Sequence, residues 1–403
     1  MIPFSPPRID QEIIDEVVET LKSGWITTGP RTKQFEKDLT NYCGCKETLA
    51  LNSATAGLEL MLRWFGVEAG DEVIVPAYTY CATANVVIHC GATPVFVDVN
   101  PNDFNISLQA IENAITEKTK VIIPVDIGGF PVDIDEINEI VNKTEIIKKF
   151  KPKNEIQKKL GRVLILLDAA HSLGAIYKGK KVGSSADITV FSFHAVKNLT
   201  TAEGGAIGLN LPLPFDNNEI YKYLCIYSLH GQNKDALSKM QKGNWRYDII
   251  EAGYKANMTD ILAAIGMVEL SRYDNDTLIK RKQIFDTYTL AFKEYQWAQL
   301  PIYESKDKIS SYHVYLLRIF GISEEQRDKI IQKIFDQDVS VNVHFQPVPM
   351  FSFYKNLGYN ISDYPVAFDN YSREISLPVY YDLDHNQIQM VIDAVLNAIN
   401  EVI

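Results

Sequence analysis

Between about residues 48 and 210, short apolar runs rich in Val and Ile alternate with longer stretches of helical periodicity, a pattern that predicts βα units around a mostly parallel sheet. The runs are Thr48–Leu51, Glu72–Val75, Pro94–Val97, Val121–Val125, Arg162–Leu167, Ile188–Phe193 and Ala206–Leu209. Seven strands imply a sizeable sheet lying between helices. From Met258 to Tyr295 the pattern becomes a long helical stretch, followed by mixed strands and a last helix from His385 to Val402. The expectation is an α/β chain with a large domain over residues 1–260 and a smaller α+β domain over residues 261–403.

Composition narrows the class. With 403 residues, 46% of them hydrophobic and 23% charged, the chain can bury a large core. A formal net charge of -11 argues against a nucleic-acid partner, although an anionic small molecule can still be held by a helix amino terminus. The start, Met1-Ile2-Pro3-Phe4-Ser5-Pro6-Pro7, has neither a basic nor an apolar leader region, and no apolar run approaches the ~18 residues of a membrane span. A cytoplasmic protein without membrane contact is expected. The five cysteines lack zinc-ligand spacing, so reduced thiols and no metal are expected, with Cys43-Gly44-Cys45 only a weak metal or redox hint. The basic run from Lys143 to Lys159 reads as a solvated surface helix with its loop.

In sheets of this kind ligands sit outside the carboxyl ends of the strands. The stretch from Phe191 to Gly205 follows one strand and carries Ser192, His194 and Lys197 among small, hydroxyl and glycine residues. A lone loop lysine is ordinarily a solvated cation, but at a strand end a buried ε-amine with a lowered pKa can form an imine. A second strand ends in Leu167-Asp168-Ala169-Ala170-His171. Asp168 can cap a helix, or it can set an anion against the ring nitrogen of pyridoxal phosphate (PLP), whose protonated ring is the stronger electron sink. His171 can reach that cofactor's phenolic oxygen or be a satisfied core residue. A third strand gives way to a helix near Ser53-Ala54-Thr55, where the free N–H groups form a phosphate site and Ser192 can add its hydroxyl. The fourth element, Tyr78-Thr79-Tyr80, offers a ring to stack on the cofactor, against core packing as the plain reading. Imine, ring nitrogen, phosphate and ring face are four requirements of one cofactor.

These residues resemble the DegT/DnrJ family of sugar aminotransferases, a branch of the fold-type-I PLP-dependent transferases. The similarity runs through Ser23–Pro30, Gly70–Pro76, Gly91–Val99, Asp168–His171 and the Lys197 loop, and includes Gly253–Asp260. Within the family, Ser53–Gly57 and the lysine loop look most like enzymes that make UDP-4-amino-4-deoxy-L-arabinose. The resemblance implies a homodimer with paired active sites, glutamate as amino donor and a 4-keto sugar nucleotide as acceptor, for cell-surface glycans such as lipopolysaccharide. It implies that Lys197 carries PLP and that Lys255 or Asn257 reaches the partner subunit's phosphate site. Trp25, Thr27, Thr28, Tyr312, His313 and His344 match family positions near the acceptor. The competing readings are a PLP-dependent sugar dehydrase, which has histidine where Lys197 stands here, and a regulatory protein that keeps the fold without the chemistry.

Overall fold

The computed structural model describes residues 1–234 and 246–403. All seven apolar runs form strands of one sheet: β1 (Glu47–Leu51), β2 (Glu72–Pro76), β3 (Thr93–Val97), β4 (Thr119–Ile122), β5 (Leu164–Asp168), β8 (Ile188–Ser192) and β9 (Gly205–Leu209). Two short strands, β6 (Ile176–Tyr177) and β7 (Lys180–Lys181), lie between β5 and β8 in the chain and pair in a separate small sheet. The order is β1-β9-β8-β5-β4-β2-β3, and β9 alone runs against its neighbours. Helices cover both faces, so central strands such as β5 are buried at every position and read as continuous apolar runs rather than alternating ones. The parallel arrangement puts the carboxyl ends of β1, β2, β5 and β8 along one edge.

Helices α1 (Gln11–Lys22), α2 (Pro30–Cys43), α3 (Ala54–Trp64) and α4 (Ala82–His89) occupy the amino-terminal half. The start of α2 has no side-chain cap of its own. Its free N–H groups are met from far along the chain by Asp260, whose carboxylate accepts from the Gly29 N–H at 2.7 Å, the Thr32 N–H at 2.9 Å and the Thr32 hydroxyl at 2.6 Å.

Buried side chains form two clusters, a larger one around the seven-stranded sheet and a second from Ile284 to Ile399 that also takes in Ile2. A division into residues 1–260 and 261–403 is our proposal for the domains, and the packing qualifies it. Ala263, Leu270 and Tyr273, and later Val348, Tyr354, Ala367 and Tyr371, belong to the larger cluster. The stretch expected as one long helix is Asp260–Ser271 and Leu278–Phe292 joined by a π turn over Tyr273–Thr277. The last helix spans His385–Val402, as its periodicity predicts. Among the described residues no helix is long and apolar enough to cross a membrane.

The basic segment is helical at Thr144–Lys149 and Glu155–Leu160. Three of its lysines are ion-paired: Lys143 with Glu112, Lys153 with Glu68 and Asp71, and Lys158 with Glu155. Cys43 and Cys45 are free, buried thiols, and burial pushes Cys45 up to about 12, the opposite of a reactive thiolate.

Candidate active site

The strand-end loops enclose a cavity of about 350 Å³. Ser53, Ala54 and Thr55 border it from the start of α3, Tyr80 from the loop after β2, Asp168 and His171 from the end of β5, and Ser192, His194 and Lys197 from the loop after β8. Four segments scattered over about 150 residues therefore meet because neighbouring strands of a parallel sheet end together.

The loop that carries Lys197 is folded back on itself. Lys197 N–H donates to the His194 carbonyl at 2.8 Å, and Thr201 N–H to the Phe193 carbonyl at 2.9 Å. Burial pulls the Lys197 ammonium down to about 8, while the Asp168 carboxylate acts in the opposite sense. A lysine so placed carries a neutral, nucleophilic fraction near neutral pH. Asp168 is 6% exposed. Its Oδ2 accepts from the Thr83 hydroxyl at 2.9 Å and its Oδ1 from the Ala170 N–H at 3.2 Å. Burial pushes this carboxyl up, and the Thr83 hydroxyl, the Ala170 N–H and the Lys197 charge pull it back. The site thus holds an amine and a carboxylate, each desolvated and each favouring the other's charge.

Ser53 caps α3, its Oγ accepting from the Ala56 N–H at 3.1 Å. The N–H groups of that first turn, without intrahelical partners, together with the helix dipole make an anion site. Strand β9 begins hard against it. A Cβ on Gly205 would lie 2.3 Å from the Ala54 nitrogen, so only glycine permits the contact. Ser192 borders the same space and accepts from the His194 N–H at 3.5 Å. His194 itself is exposed and 3.6 Å from Glu203.

The two tyrosines after β2 separate. Tyr78 is fully buried and donates to the His344 carbonyl, whereas Tyr80 is 60% exposed, lines the cavity and lies 5.8 Å from the Phe345 ring. Three imidazoles complete the wall. His171 accepts from the Gly128 N–H at 3.3 Å and sits 4.3 Å from the His313 ring. Asn198, the residue after Lys197, takes the Nδ1 of His313 on its Oδ1 at 2.7 Å and donates to the Ser311 carbonyl at 2.6 Å. Burial, followed by the nearby Lys197 charge, holds His344 down to about 3; burial likewise keeps His171 and His313 well below the usual imidazole range. All three are neutral at physiological pH.

Some expected residues lie elsewhere. Tyr312 does not reach the cavity: its ring is buried in the second core against Phe285, and its hydroxyl donates to Glu304 at 2.7 Å. A side chain next to His313 points the opposite way because the intervening backbone is clamped by Arg281, which donates to both carbonyls. Trp25, Thr27, Thr28, Lys255 and Asn257 do not line this chain's own cavity. Lys255, Asn257 and Thr28 form a separate cluster, in which Lys255 Nζ donates to Asn257 Oδ1 at 2.5 Å and Asn257 Nδ2 to the Thr28 hydroxyl at 2.5 Å; the neighbouring Thr27 carbonyl accepts the Asp260 N–H at 3.1 Å, and Trp25 packs beside Gly29. Conversely, Phe4, Ser5, Thr83, Asn198 and Phe345 border or support the cavity and were not singled out. Thr83 stands in the first turn of α4 and carried no local signal of its bond to Asp168. Phe4 and Ser5 carried none either, since their placement depends on contacts far along the chain, Phe4 with the His344 ring and Ser5 with the Val196 carbonyl.

A half-buried primary amine of lowered pKa, a carboxylate facing it, an anion-binding helix start and an aromatic flank fit PLP, and on this sheet they define a fold-type-I PLP-dependent transferase. The chain belongs to the DegT/DnrJ/EryC1/StrS aminotransferase family, whose sequence pattern matches residues 7–148 and 149–396. It is 46% identical to a Streptococcus pneumoniae protein, Spr1654, described as a sugar aminotransferase and solved in its PMP form, with a TM-score of 0.96 over 100% of both chains. The PLP form of that protein aligns with a TM-score of 0.94, at 44% identity over 100% of this chain and 99% of the other. Helicobacter pylori PseC, an aminotransferase involved in pseudoaminic acid biosynthesis, aligns at 30% identity and a TM-score of 0.86 over 99% of each chain. Bacillus subtilis SpsC, a spore coat polysaccharide biosynthesis protein, is 37% identical over 98% of this chain and 96% of its own length. The protein is a PLP-dependent aminotransferase.

Proposed function

We propose that the enzyme moves the amino group of glutamate onto the ketone of a sugar nucleotide, a 4-keto-6-deoxy sugar or 4-keto pentose, for cell-surface polysaccharide synthesis in the cytoplasm. The carrying observation is Lys197 with its depressed pKa facing Asp168 across the cavity. When bound, PLP supplies the electron sink that stabilises negative charge at the carbon losing a proton. Lys197 would hold the cofactor through its amine, and the same amine would move the proton at the donor Cα. Asp168 would set its anion against the ring nitrogen, the start of α3 would hold the phosphate, and Tyr80 would flank the ring. Histidine at position 197 would suit deoxygenation; lysine suits amino transfer.

The sugar acceptor is supported by SpsC and PseC, whose names link them to polysaccharide and pseudoaminic acid synthesis. Neutral histidines on the cavity wall suit the hydroxyls of a sugar. A homodimer is supported by the exposed Lys255, bonded to the half-buried Asn257 outside this chain's own cavity, where the pair can reach a partner's phosphate site.

The test is to incubate the enzyme with glutamate and a panel of 4-keto and 3-keto sugar nucleotides under mass-spectrometric readout. Amination of a 4-keto sugar is expected, with loss of turnover and of the protein-bound cofactor absorbance in Lys197→Ala. Full activity in that variant, or amination confined to non-sugar ketones, would overturn the reading.

A further inference from the structure

His344 is held by two residues of a small-domain strand, Glu374–Leu377. Its Nδ1 lies 2.9 Å from Ser376 Oγ, and its backbone N–H donates to Glu374 Oε2 at 3.0 Å and to Ser376 Oγ at 3.2 Å. The Ser376 hydroxyl is 2.5 Å from Glu374 Oε1. Glu374 and Ser376 have no exposure at all. Phe4 stacks on the imidazole with centroids 5.4 Å apart, so the ring has one face covered and its Nδ1 edge committed, leaving Nε2 for the cavity it lines.

A hydroxyl has one hydrogen, and that dictates the rest. While Glu374 is ionised, the Ser376 hydrogen goes to Oε1, Ser376 can only accept from His344, and Nδ1 must carry the ring proton. When Glu374 is protonated, Oε1–H donates to Ser376, the hydroxyl hydrogen turns to Nδ1, and the ring proton sits on Nε2. We infer that Glu374 and Ser376 are positioning residues that set the tautomer of His344, so that Nε2 meets the substrate as a donor when Glu374 is protonated and as an acceptor when it is ionised. The substrate half of this statement rests on the proposed sugar-acceptor function; the tautomer half does not.

The surroundings keep both states of Glu374 within reach. Burial pushes its carboxyl up to about 8, opposed by the Ser376 hydroxyl, the His344 N–H and the charges of Arg327 and Arg318. Arg318 comes from the adjoining strand Tyr315–Ile319 and Arg327 from the helix Glu324–Phe335; buried Tyr78 approaches from the loop after β2. On the cavity side Lys197, His171 and His313 face His344, and burial with the Lys197 charge keeps its ring neutral throughout.

The experiment is imidazole nitrogen NMR on histidine-labelled, cofactor-loaded enzyme between about pH 6 and about pH 10. Wild type should pass from the Nε2–H to the Nδ1–H form of His344. Glu374→Gln, whose amide donates to Ser376 while its carbonyl accepts the His344 N–H, should stay Nε2–H throughout. Ser376→Ala should lose the pH dependence and Ser376→Thr should restore it. The KM for the keto sugar in Glu374→Gln should lose the pH dependence of wild type and shift by about tenfold at the alkaline end, the factor for one hydrogen bond. A His344 tautomer that does not change with pH in wild type, or that changes equally in Glu374→Gln, would sink the proposal. A tautomer that behaves as stated with an unchanged KM would remove its substrate half. Near-ultraviolet circular dichroism separates these outcomes from misfolding, and an unfolded Glu374→Gln leaves the Ser376 pair to decide.

Discussion

Thr83 and Asp168, 85 residues apart, are joined by a buried hydrogen bond of 2.9 Å from the threonine hydroxyl to the carboxylate Oδ2. The bond runs from α4 to the end of β5, and it holds the carboxylate in one orientation while lowering a pKa that burial raises. Thr83→Val keeps the shape and removes the donor. Cofactor affinity should fall about tenfold, as for one hydrogen bond to a buried charge, with a far larger loss in Asp168→Asn. Absorbance titration of the apoprotein with PLP measures both; equal affinity in Thr83→Val and wild type would show that the bond does not orient the anion.

The Lys197 pKa of about 8 predicts how the apoprotein takes up its cofactor. Attack on the aldehyde needs the neutral amine. Its fraction reaches one half near pH 8 and is nearly complete about one pH unit higher, whereas an unshifted lysine would reach one half only at about 10.5. Stopped-flow uptake rates should therefore level off shortly above pH 8. A rate still climbing at pH 10 would mean that the amine is hydrated rather than buried.

Gly205 makes room for the start of α3. Because an added Cβ falls 2.3 Å from the Ala54 nitrogen, Gly205→Ala must push strand and helix apart at the phosphate site. PLP affinity should fall at least about tenfold, with pyridoxal, which lacks the phosphate, affected much less. Comparable losses for both would place the damage in the fold instead.

Asp260 ties the amino terminus of α2 to the chain that follows Asn257. Its carboxylate accepts from Gly29, Arg31 and Thr32 with no exposure to water. Asp260→Ala should cost about 2–4 kcal/mol by orphaning several N–H groups at once, and Asp260→Asn less. Thermal denaturation gives the comparison; an unchanged melting temperature would refute the capping role.

The sequence by itself determined the seven strands, because a strand buried on both faces leaves a local mark, a run of Val, Ile and Leu bounded by turns. It also determined which residues stand at the strand ends, and so Lys197, Asp168 and Ser53 were legible, as was the paired basic segment as a solvated surface. Tertiary structure alone decided which side chain of a neighbouring pair faces the cavity. Tyr80 enters and Tyr78 does not; His313 enters and Tyr312 packs on Phe285. In irregular segments no periodicity fixes the side. The choice is made by partners distant in the chain, such as Arg281 on the carbonyls of residues 312 and 313. The same holds for Thr83 beneath Asp168, Asn198 on His313 and the Glu374–Ser376 pair behind His344. Each is a hydrogen bond whose worth comes from burial, and burial at these positions exists only once remote segments have closed around them.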